Sequence, residues 1–81
     1  MQVRVHFFSY LKDLTGCAQT EETLVEGSKL SALHEHLMAK FPKLVAMKNS
    51  TLIAVDVNYQ SRDYVLQDGD EVSLFPPVQG G

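Results

Sequence analysis

The chain has 81 residues, a net charge of -3 and a pI near 5.4, which argue against nucleic acid or an anionic membrane as its main partner. This length fits one domain, and the sequence contains no apolar run of transmembrane length. A single cysteine excludes an intramolecular disulfide and a CxxC site, so we expect a cytoplasmic location, where thiols stay reduced.

The N-terminal third of the sequence predicts a strand, a helical turn and a second strand. Apolar residues alternate over 2–9 as in a half-buried strand, and this alternation puts Phe8 on the opposite, mostly polar face. A helical turn over 10–14 should stop at Gly16, and residues 19–25 favour a second strand. The apolar face of the first strand is formed by Val3, Val5 and Phe7.

One amphipathic helix is predicted in the middle of the chain. Ser28 is its predicted N-cap, because the hydroxyl can accept a hydrogen bond from a free amide of the first turn. The helix should end before Pro42, since proline disfavours the helical conformation in the residue that precedes it. The apolar stripe, at spacings of three and four, consists of Leu30, Leu33, Leu37 and Phe41.

The C-terminal part predicts three further strands. Residues 51–57 are apolar at most positions, which indicates a strand covered on both faces and therefore central in its sheet. A short strand over 59–65 and a turn over 68–70 follow, and residues 71–75 form the last predicted strand. One face of the predicted 51–57 strand holds Ile53, Val55 and Val57.

This order of elements predicts an α+β fold, in which one main helix crosses one face of a mixed four- to five-stranded sheet. A hairpin, a crossing helix and a returning strand describe the β-grasp, or ubiquitin-like, roll. In that roll the last strand lies centrally beside the first. We therefore predict a β-grasp domain over 1–75 and an extended C-terminal tail over 76–81 that projects from the last strand.

The predicted tail has a stiff base and a slim tip. Pro76 and Pro77 fix φ and lack an amide hydrogen, so the strand must stop there. Gly80 and Gly81 have no side chains, so they can enter a narrow slot and bring a carboxylate to a buried reaction centre. The tail would reach roughly 20 Å when fully extended. The alternative is a frayed terminus without function.

Two aromatic residues suggest a docking surface near the base of the tail. Phe8 and Phe75 both fall on the less buried faces of strands that are predicted to be neighbours. Exposed aromatic residues of this kind often contribute most of the binding energy of an interface. The alternative, in which both rings belong to the core, stays open at this point.

The other polar residues do not suggest an active site or a metal site. His34 and His36 do not share a helix face; we expect His34 to border the apolar stripe and His36 to be solvated. Cys17 has no cation or second cysteine nearby in sequence that would lower its pKa. The carboxylates at 21–22 and 68–71 are interpreted as turn and surface charges, because no nucleophile or phosphate loop accompanies them.

The sequence resembles the MoaD family, the small sulfur-carrier subunits of molybdopterin synthase. The resemblance covers both ends and most of the chain, and the combination of DGDEV with a terminal PPVxGG is its most specific part. The matching segments are FFxxLxxLxG at 7–16, IAVDVN at 53–58, LxDGDEV at 66–72 and FPPVxGG at 75–81.

The resemblance implies a function for the tail. An E1-like adenylating enzyme similar to MoeB would use ATP to join the Gly81 carboxylate to AMP, and a sulfur donor would then displace AMP to leave a thiocarboxylate. Within a large synthase subunit similar to MoaE, that sulfur would pass to cyclic pyranopterin monophosphate. The chain would bind no cofactor stably and would not be an enzyme on its own. With a dimeric large subunit, the expected assembly is a heterotetramer.

The resemblance also implies a role for each candidate residue. Gly81 would be the reactive residue, and the docking of the folded domain onto its two successive partners would use Phe8, Phe75 and Leu74. The residues that would orient the tail and keep it narrow are Pro76, Pro77, Val78 and Gly80.

Three other functions remain open from the sequence. A ThiS-like carrier for thiamine thiazole synthesis would use the same chemistry, although such carriers tend to be shorter and to lack the double proline. A ubiquitin-like protein modifier would form isopeptide bonds through Gly81. A plain interaction module would have an inert tail.

Overall fold

The computed structural model describes residues 1–77 as one five-stranded sheet with two α-helices and a 3₁₀ helix. The strand order in the sheet is β2-β1-β5-β3-β4. In chain order the elements are β1 (Gln2–Phe7), α1 (Leu11–Thr15), β2 (Gln19–Thr23), α2 (Leu30–Lys40), the 3₁₀ helix (Pro42–Met47), β3 (Leu52–Val55), β4 (Asn58–Tyr59) and β5 (Glu71–Phe75).

The sheet is mixed, and the last strand lies at its centre. β5 pairs with β1 in parallel and with β3 in antiparallel orientation, while β1–β2 and β3–β4 are antiparallel pairs. This arrangement confirms the predicted β-grasp roll, in which the last strand lies beside the first. The predicted domain from residue 1 to residue 75 thus ends with β5; of the predicted tail, only Pro76 and Pro77 lie within the described residues.

The alternation in the two central strands separates a core face from an outer face. The inward side chains of β1 and β5 are almost completely buried, and they share one cluster with the apolar stripe of α2. Each such side chain, when fully buried, contributes about 1.5–3 kcal/mol relative to an exposed one. The core residues of these three elements are Val3, Val5, Phe7, Leu30, Leu33, Leu37, Met38, Val72 and Leu74.

The start of α2 differs from the prediction. The N-cap is Lys29, and the hydroxyl of Ser28 instead donates a hydrogen bond to the carbonyl of Val25 at 2.6 Å. The first helical amide, that of Leu30, donates to the carbonyl of Tyr64 at 2.9 Å. A distant backbone segment therefore satisfies the amide for which the sequence suggested a local cap.

The end of α2 follows the prediction. The helix stops at Lys40, with Phe41 as C-cap, and Pro42 opens the 3₁₀ helix. The ring of Phe41 is half-buried and contacts Phe7 edge to face, with the centroids 5.6 Å apart. Phe41 thus closes the apolar stripe against the first strand, as its spacing predicted.

The β3–β4 hairpin is shorter and tighter than predicted. β3 ends at Val55, because Asp56 turns the chain with a φ of 56°. Val57 lies in this turn with 90% of its surface exposed, so its predicted place on the apolar face of the strand is wrong. The predicted strand over 59–65 is replaced by β4 and by an isolated bridge between Val65 and Lys29.

Within residues 1–77, no helix combines the length and the apolar character needed to cross a bilayer.

Candidate functional site

Phe8 and Phe75 form a stacked pair on the outer face of the sheet. Their ring centroids are 4.6 Å apart and their planes differ by 13°. The parallel register of β1 and β5 pairs Phe7 with Leu74, and the amide of Phe8 donates to the carbonyl of Leu74 at 3.1 Å. Phe7 and Leu74 both point into the core. Because side chains alternate along a strand, the residues that follow them, Phe8 and Phe75, point outward. Two of the three predicted docking residues, Phe8 and Phe75, are therefore brought together on one surface.

Tyr59 adds a third ring, at a position that the sequence pattern did not indicate as part of the site. Its ring meets Phe75 edge to face, with the centroids 6.2 Å apart and 67° between the planes. The registers Leu52–Phe75 and Ala54–Tyr59 place both rings on the same side of the sheet. Edge-to-face and offset contacts are the favourable arrangements for aromatic pairs. We call Phe8, Tyr59 and Phe75 the aromatic surface.

The aromatic surface is open to solvent. Phe8 is 41% exposed and Tyr59 is 67% exposed, whereas Phe75 is half-buried between them. The alternative in which Phe8 and Phe75 belong to the core is therefore wrong for Phe8. An exposed cluster of three rings is unusual for a surface without a partner, and it has the composition of an interface centre.

Leu74 lies on the other side of the sheet from the aromatic surface. Its side chain is 1% exposed within the core. The predicted docking role of Leu74 is therefore wrong for the side chain, because strand alternation turns it inward wherever Phe75 points outward.

The tail begins directly beside the aromatic surface. Pro76 and Pro77 follow Phe75 without strand pairing, and both are half-buried. The positions predicted to aim the tail thus start one residue after the stacked pair. The remaining predicted tail residues, Val78, Gly80 and Gly81, the last of which is the predicted reactive residue, lie outside the described residues.

Charged side chains border the aromatic surface along β1 and β5. His6 Nε2 donates to Glu71 Oε1 at 3.0 Å, and Arg4 lies 3.8 Å from the other oxygen of Glu71. Arg4 also contacts Glu21 at 3.2 Å on the neighbouring strand β2. The outer face therefore has an apolar end next to the tail and a charged end beyond it, similar to the apolar centre and polar rim of protein interfaces.

Glu22 is a buried carboxylate, so its interpretation as a surface charge is wrong. It is 5% exposed and accepts hydrogen bonds from Lys40 Nζ, His36 Nε2 and Thr20 Oγ1, each at 2.7 Å. Burial by itself raises the pKa of Glu22, but the hydrogen bonds from Lys40, Thr20 and His36 outweigh it and the pKa is lowered. His36 is thus a partner in this cluster rather than a purely solvated residue.

The acidic turn before β5 also has a structural role. Asp68 Oδ1 accepts a hydrogen bond from the amide of Gln2 at 2.7 Å. Asp70 is largely buried, and its Oδ2 accepts from the amide of Gln67 at 2.8 Å and from the hydroxyl of Tyr64 at 3.2 Å. Burial, and then Asp70, raises the pKa of Tyr64. The turn charge at Asp70 therefore fixes the entry into β5 rather than lying free at the surface.

Among residues 1–77, no group of three or more His, Cys, Asp or Glu side chains has the arrangement of a metal site. His34 is buried at the edge of the apolar stripe, as predicted, and Cys17 packs half-buried against the core. The arrangement best suited to a function is thus the aromatic surface at the start of the tail.

Comparison with known proteins identifies the family. The family model described as "ThiS family" matches residues 5–81. The molybdopterin synthase sulfur carrier subunit of Escherichia coli K12 is 36% identical over 81 residues, which cover 98% of this chain and 99% of the relative. The chain belongs to the ThiS family as a MoaD-type sulfur carrier.

Solved structures agree with this assignment of a MoaD-type carrier. A putative molybdopterin converting factor subunit 1 from Pyrococcus furiosus is similar with a TM-score of 0.86 and 31% identity, covering 96% of this chain and 99% of that one. A second structure is a complex of subunits 1 and 2 of the molybdopterin-converting factor from Helicobacter pylori. Its matching chain has a TM-score of 0.71 and 26% identity, with both chains covered completely.

Proposed function

We propose that this MoaD-type chain carries sulfur for molybdopterin synthesis as a thiocarboxylate on Gly81. The observation that supports this most directly is the aromatic surface, which lies immediately before Pro76 in a chain related over its whole length to a molybdopterin synthase sulfur carrier subunit. A carrier needs one surface that partners recognise and one reactive end that they can reach. In this chain the aromatic surface ends at Phe75, and the predicted tail that carries the reactive end starts at the next residue, Pro76.

The chemistry at Gly81 requires activation by a separate enzyme. An α-carboxylate has a pKa near 3.5, so it is ionised at neutral pH and is a poor electrophile. A carboxylate oxygen attacks the α-phosphorus of ATP, and pyrophosphate leaves, which gives an acyl adenylate. A sulfur nucleophile then attacks the acyl carbon and AMP leaves, which gives the thiocarboxylate. In each of two successive transfers, the thiocarboxylate sulfur bonds to a carbon of cyclic pyranopterin monophosphate, and water then cleaves the acyl–sulfur bond. This hydrolysis returns the Gly81 carboxylate and leaves one of the two sulfur atoms of the dithiolene on the pterin.

We propose two successive partners for the aromatic surface, an adenylating enzyme and the large synthase subunit. The Helicobacter pylori structure, in which subunits 1 and 2 form a complex, supports the large-subunit partner. Because both partners would need the same three rings and the same tail, they would bind one at a time. Release from the first partner is then a required step before sulfur delivery. Catalysis, and the use of ATP, belongs to the partners.

The carrier chemistry is tested by the intact mass of the chain. The chain is incubated with ATP, a MoeB-like activating enzyme and a sulfur donor, and the expected result is a mass increase equal to the replacement of one oxygen by sulfur. The control is the same chain without Gly81, which should show no increase. No increase in the full chain, with an activating enzyme that loads its own carrier, would contradict the proposal.

A second measurement separates the molybdopterin pathway from thiazole synthesis. The sulfur-loaded chain is mixed either with a MoaE-like large subunit and cyclic pyranopterin monophosphate or with a thiazole synthase and its substrates. We expect loss of sulfur and formation of molybdopterin only in the first mixture. Transfer only in the second mixture would assign the chain to the thiazole pathway while leaving the carrier chemistry intact.

A further inference from the structure

A cleft on the α2 side of the sheet is lined by positively charged side chains. Its volume is about 170 Å³, and it lies away from the aromatic surface, which occupies the opposite face of the sheet. Lys48 and Arg62 line it, and neither forms a salt bridge with a carboxylate of residues 1–77. In a chain with a net charge of -3, this is a local concentration of unpaired positive charge.

Arg62 is held in place but retains most of its donors. Its Nη2 donates to the carbonyl of Thr51 at 2.7 Å, and the side chain is half-buried. A guanidinium has five N–H donors in a fixed planar arrangement. The contact with Thr51 therefore orients the group and leaves other N–H bonds for a second acceptor.

His34, which lines the same cleft, has a ring nitrogen without a hydrogen-bond partner among the described residues. The residue is 4% exposed, and this nitrogen, Nε2, is completely buried. A buried polar atom without a partner destabilises the folded chain, because it has lost its hydrogen bonds to water without replacement. Burial, and then the charges of Arg62 and Lys48, lowers the pKa of His34, whereas Glu35 raises it. Burial in this place therefore favours the neutral form of the imidazole.

We propose that this cleft binds a small tetrahedral oxyanion of the phosphate type, held by Arg62 and Lys48 beside the buried imidazole of His34. The hydroxyl of Ser31 and the amide of Asn49, which also line the cleft, supply neutral donors. Nε2 of His34 is covered in this structure, so the oxyanion is held by Arg62 and Lys48, and the imidazole lies beside it in the wall of the cleft. The site is separate from the sulfur chemistry of the tail.

The volume of the cleft and the charges that line it indicate which class of ligand it can bind. Pockets for drug-sized ligands have volumes of about 300–1,000 Å³, so a cleft of about 170 Å³ fits a single oxyanion rather than a whole nucleotide or pterin. Two cations next to a neutral imidazole repel a metal ion and attract an anion. Glu35 lines one side of the cleft and disfavours an anion there. For this reason we expect weak binding, in the millimolar range, dominated by Arg62 and Lys48.

The test is a nuclear magnetic resonance titration of the full chain with potassium phosphate at neutral pH. Potassium chloride, added to keep the ionic strength constant, is the reference. We expect saturable shifts of the Ser31 and Asn49 amides and of the His34 imidazole. Substitution Lys48→Gln should weaken binding about two- to five-fold, the effect of one exposed charge contact. The matched variant Lys43→Gln, an exposed lysine that does not line the cleft, should leave binding unchanged.

Three results would overturn this proposal. Shifts that rise linearly without saturation would indicate general ion screening. Equal weakening by the two lysine substitutions would show that only net charge matters. Saturable shifts elsewhere, with the His34 imidazole unchanged, would place any phosphate outside this cleft. None of these results bears on the loading of sulfur at Gly81, so the two proposals fail separately.

Discussion

The rings of Phe8 and Phe75 stack 4.6 Å apart on the outer face of the sheet, although 67 positions separate them in the chain. Parallel pairing of β1 with β5 produces this contact, because it places the end of the first strand beside the end of the last. The tail starts at the next residue, Pro76. A partner that covers the stacked pair therefore also meets the start of the tail.

Replacement of Phe8 by alanine should weaken binding to the large synthase subunit. Truncation of an aromatic residue at the centre of an interface costs about 2 kcal/mol or more, which corresponds to roughly 30-fold in the dissociation constant. The stability of the free chain should fall by only about 1 kcal/mol, the contribution of one aromatic pair. Isothermal titration calorimetry and thermal unfolding measure the two effects.

The matched control for Phe8 is Tyr10→Ala. Tyr10 is 42% exposed, close to the 41% of Phe8, but it takes no part in the aromatic surface. Its replacement should leave the affinity nearly unchanged. Equal losses for the two variants would show that the stacked position of Phe8 has no special role in docking.

Tyr59 should contribute to docking through its ring rather than its hydroxyl. We expect Tyr59→Ala to weaken binding to the large subunit about tenfold, and Tyr59→Phe to keep the affinity of the unmodified chain. Val57→Ala is the control, because Val57 is an exposed residue of the same hairpin outside the aromatic surface. Surface plasmon resonance with the immobilised large subunit would compare the affinities of all three variants. A loss of affinity with Tyr59→Phe as large as with Tyr59→Ala would contradict a role of the ring.

Local periodicity was sufficient to predict most of the fold. Alternation in β1 and β5 and the three- and four-residue spacing in α2 identified the core, since each depends only on neighbours along the chain. The same alternation placed Phe8 and Phe75 outward. Their contact could be predicted once the last strand was placed beside the first.

Features that depend on a turn or on a distant partner could not be predicted. Tyr59 joins the aromatic surface because Asp56 ends β3 with a positive φ, which sets the register of the hairpin. Glu22 is buried because Lys40, 18 positions later, reaches it from α2. In both cases the sequence contains the residue but not the geometry that gives it a role. The register that places Glu22 opposite the inward-pointing Val3 turns Glu22 inward as well, and this register is visible only in the structure.

Deletion of Gly80 and Gly81 should separate folding from function. Every residue of the buried core cluster in the described part of the chain lies between Val3 and Leu74, so the melting temperature should not change. Loading of sulfur should be lost completely, because no carboxylate would then stand at position 81. Circular dichroism and intact mass measure the two outcomes. A truncated chain that still replaced one oxygen by sulfur would show that the new terminal carboxylate, that of Gln79, can be loaded and that the two glycines are not required.

Glu22 should make the stability of the fold depend on pH in the acidic range. Its pKa is lowered in the folded chain below the ordinary value of 4.5, so the ionised form is favoured by folding. The resulting stabilisation is fully present above about pH 4.5 and is lost as the pH falls through the lower pKa of the folded state. Protonation removes the charge that Lys40 and His36 pair with, which loosens the attachment of β2 to α2.

The comparison of Glu22→Gln with Glu21→Gln tests this pH dependence. At pH 7 the first variant should lose about 1–3 kcal/mol of unfolding free energy, because it replaces buried charge-assisted hydrogen bonds by weaker ones. Glu21 is exposed and pairs with Arg4 at the surface, so its variant should lose less than about 1 kcal/mol. Urea unfolding at pH 7, and again at pH values well below 4.5, measures the unfolding free energy of each variant and of the unmodified chain. The difference between the unmodified chain and Glu22→Gln should shrink in acid, because the native carboxyl is then neutral as well. A difference that stays constant with pH would mean that Glu22 stabilises the fold by packing alone and that its charge has no part in holding β2 against α2.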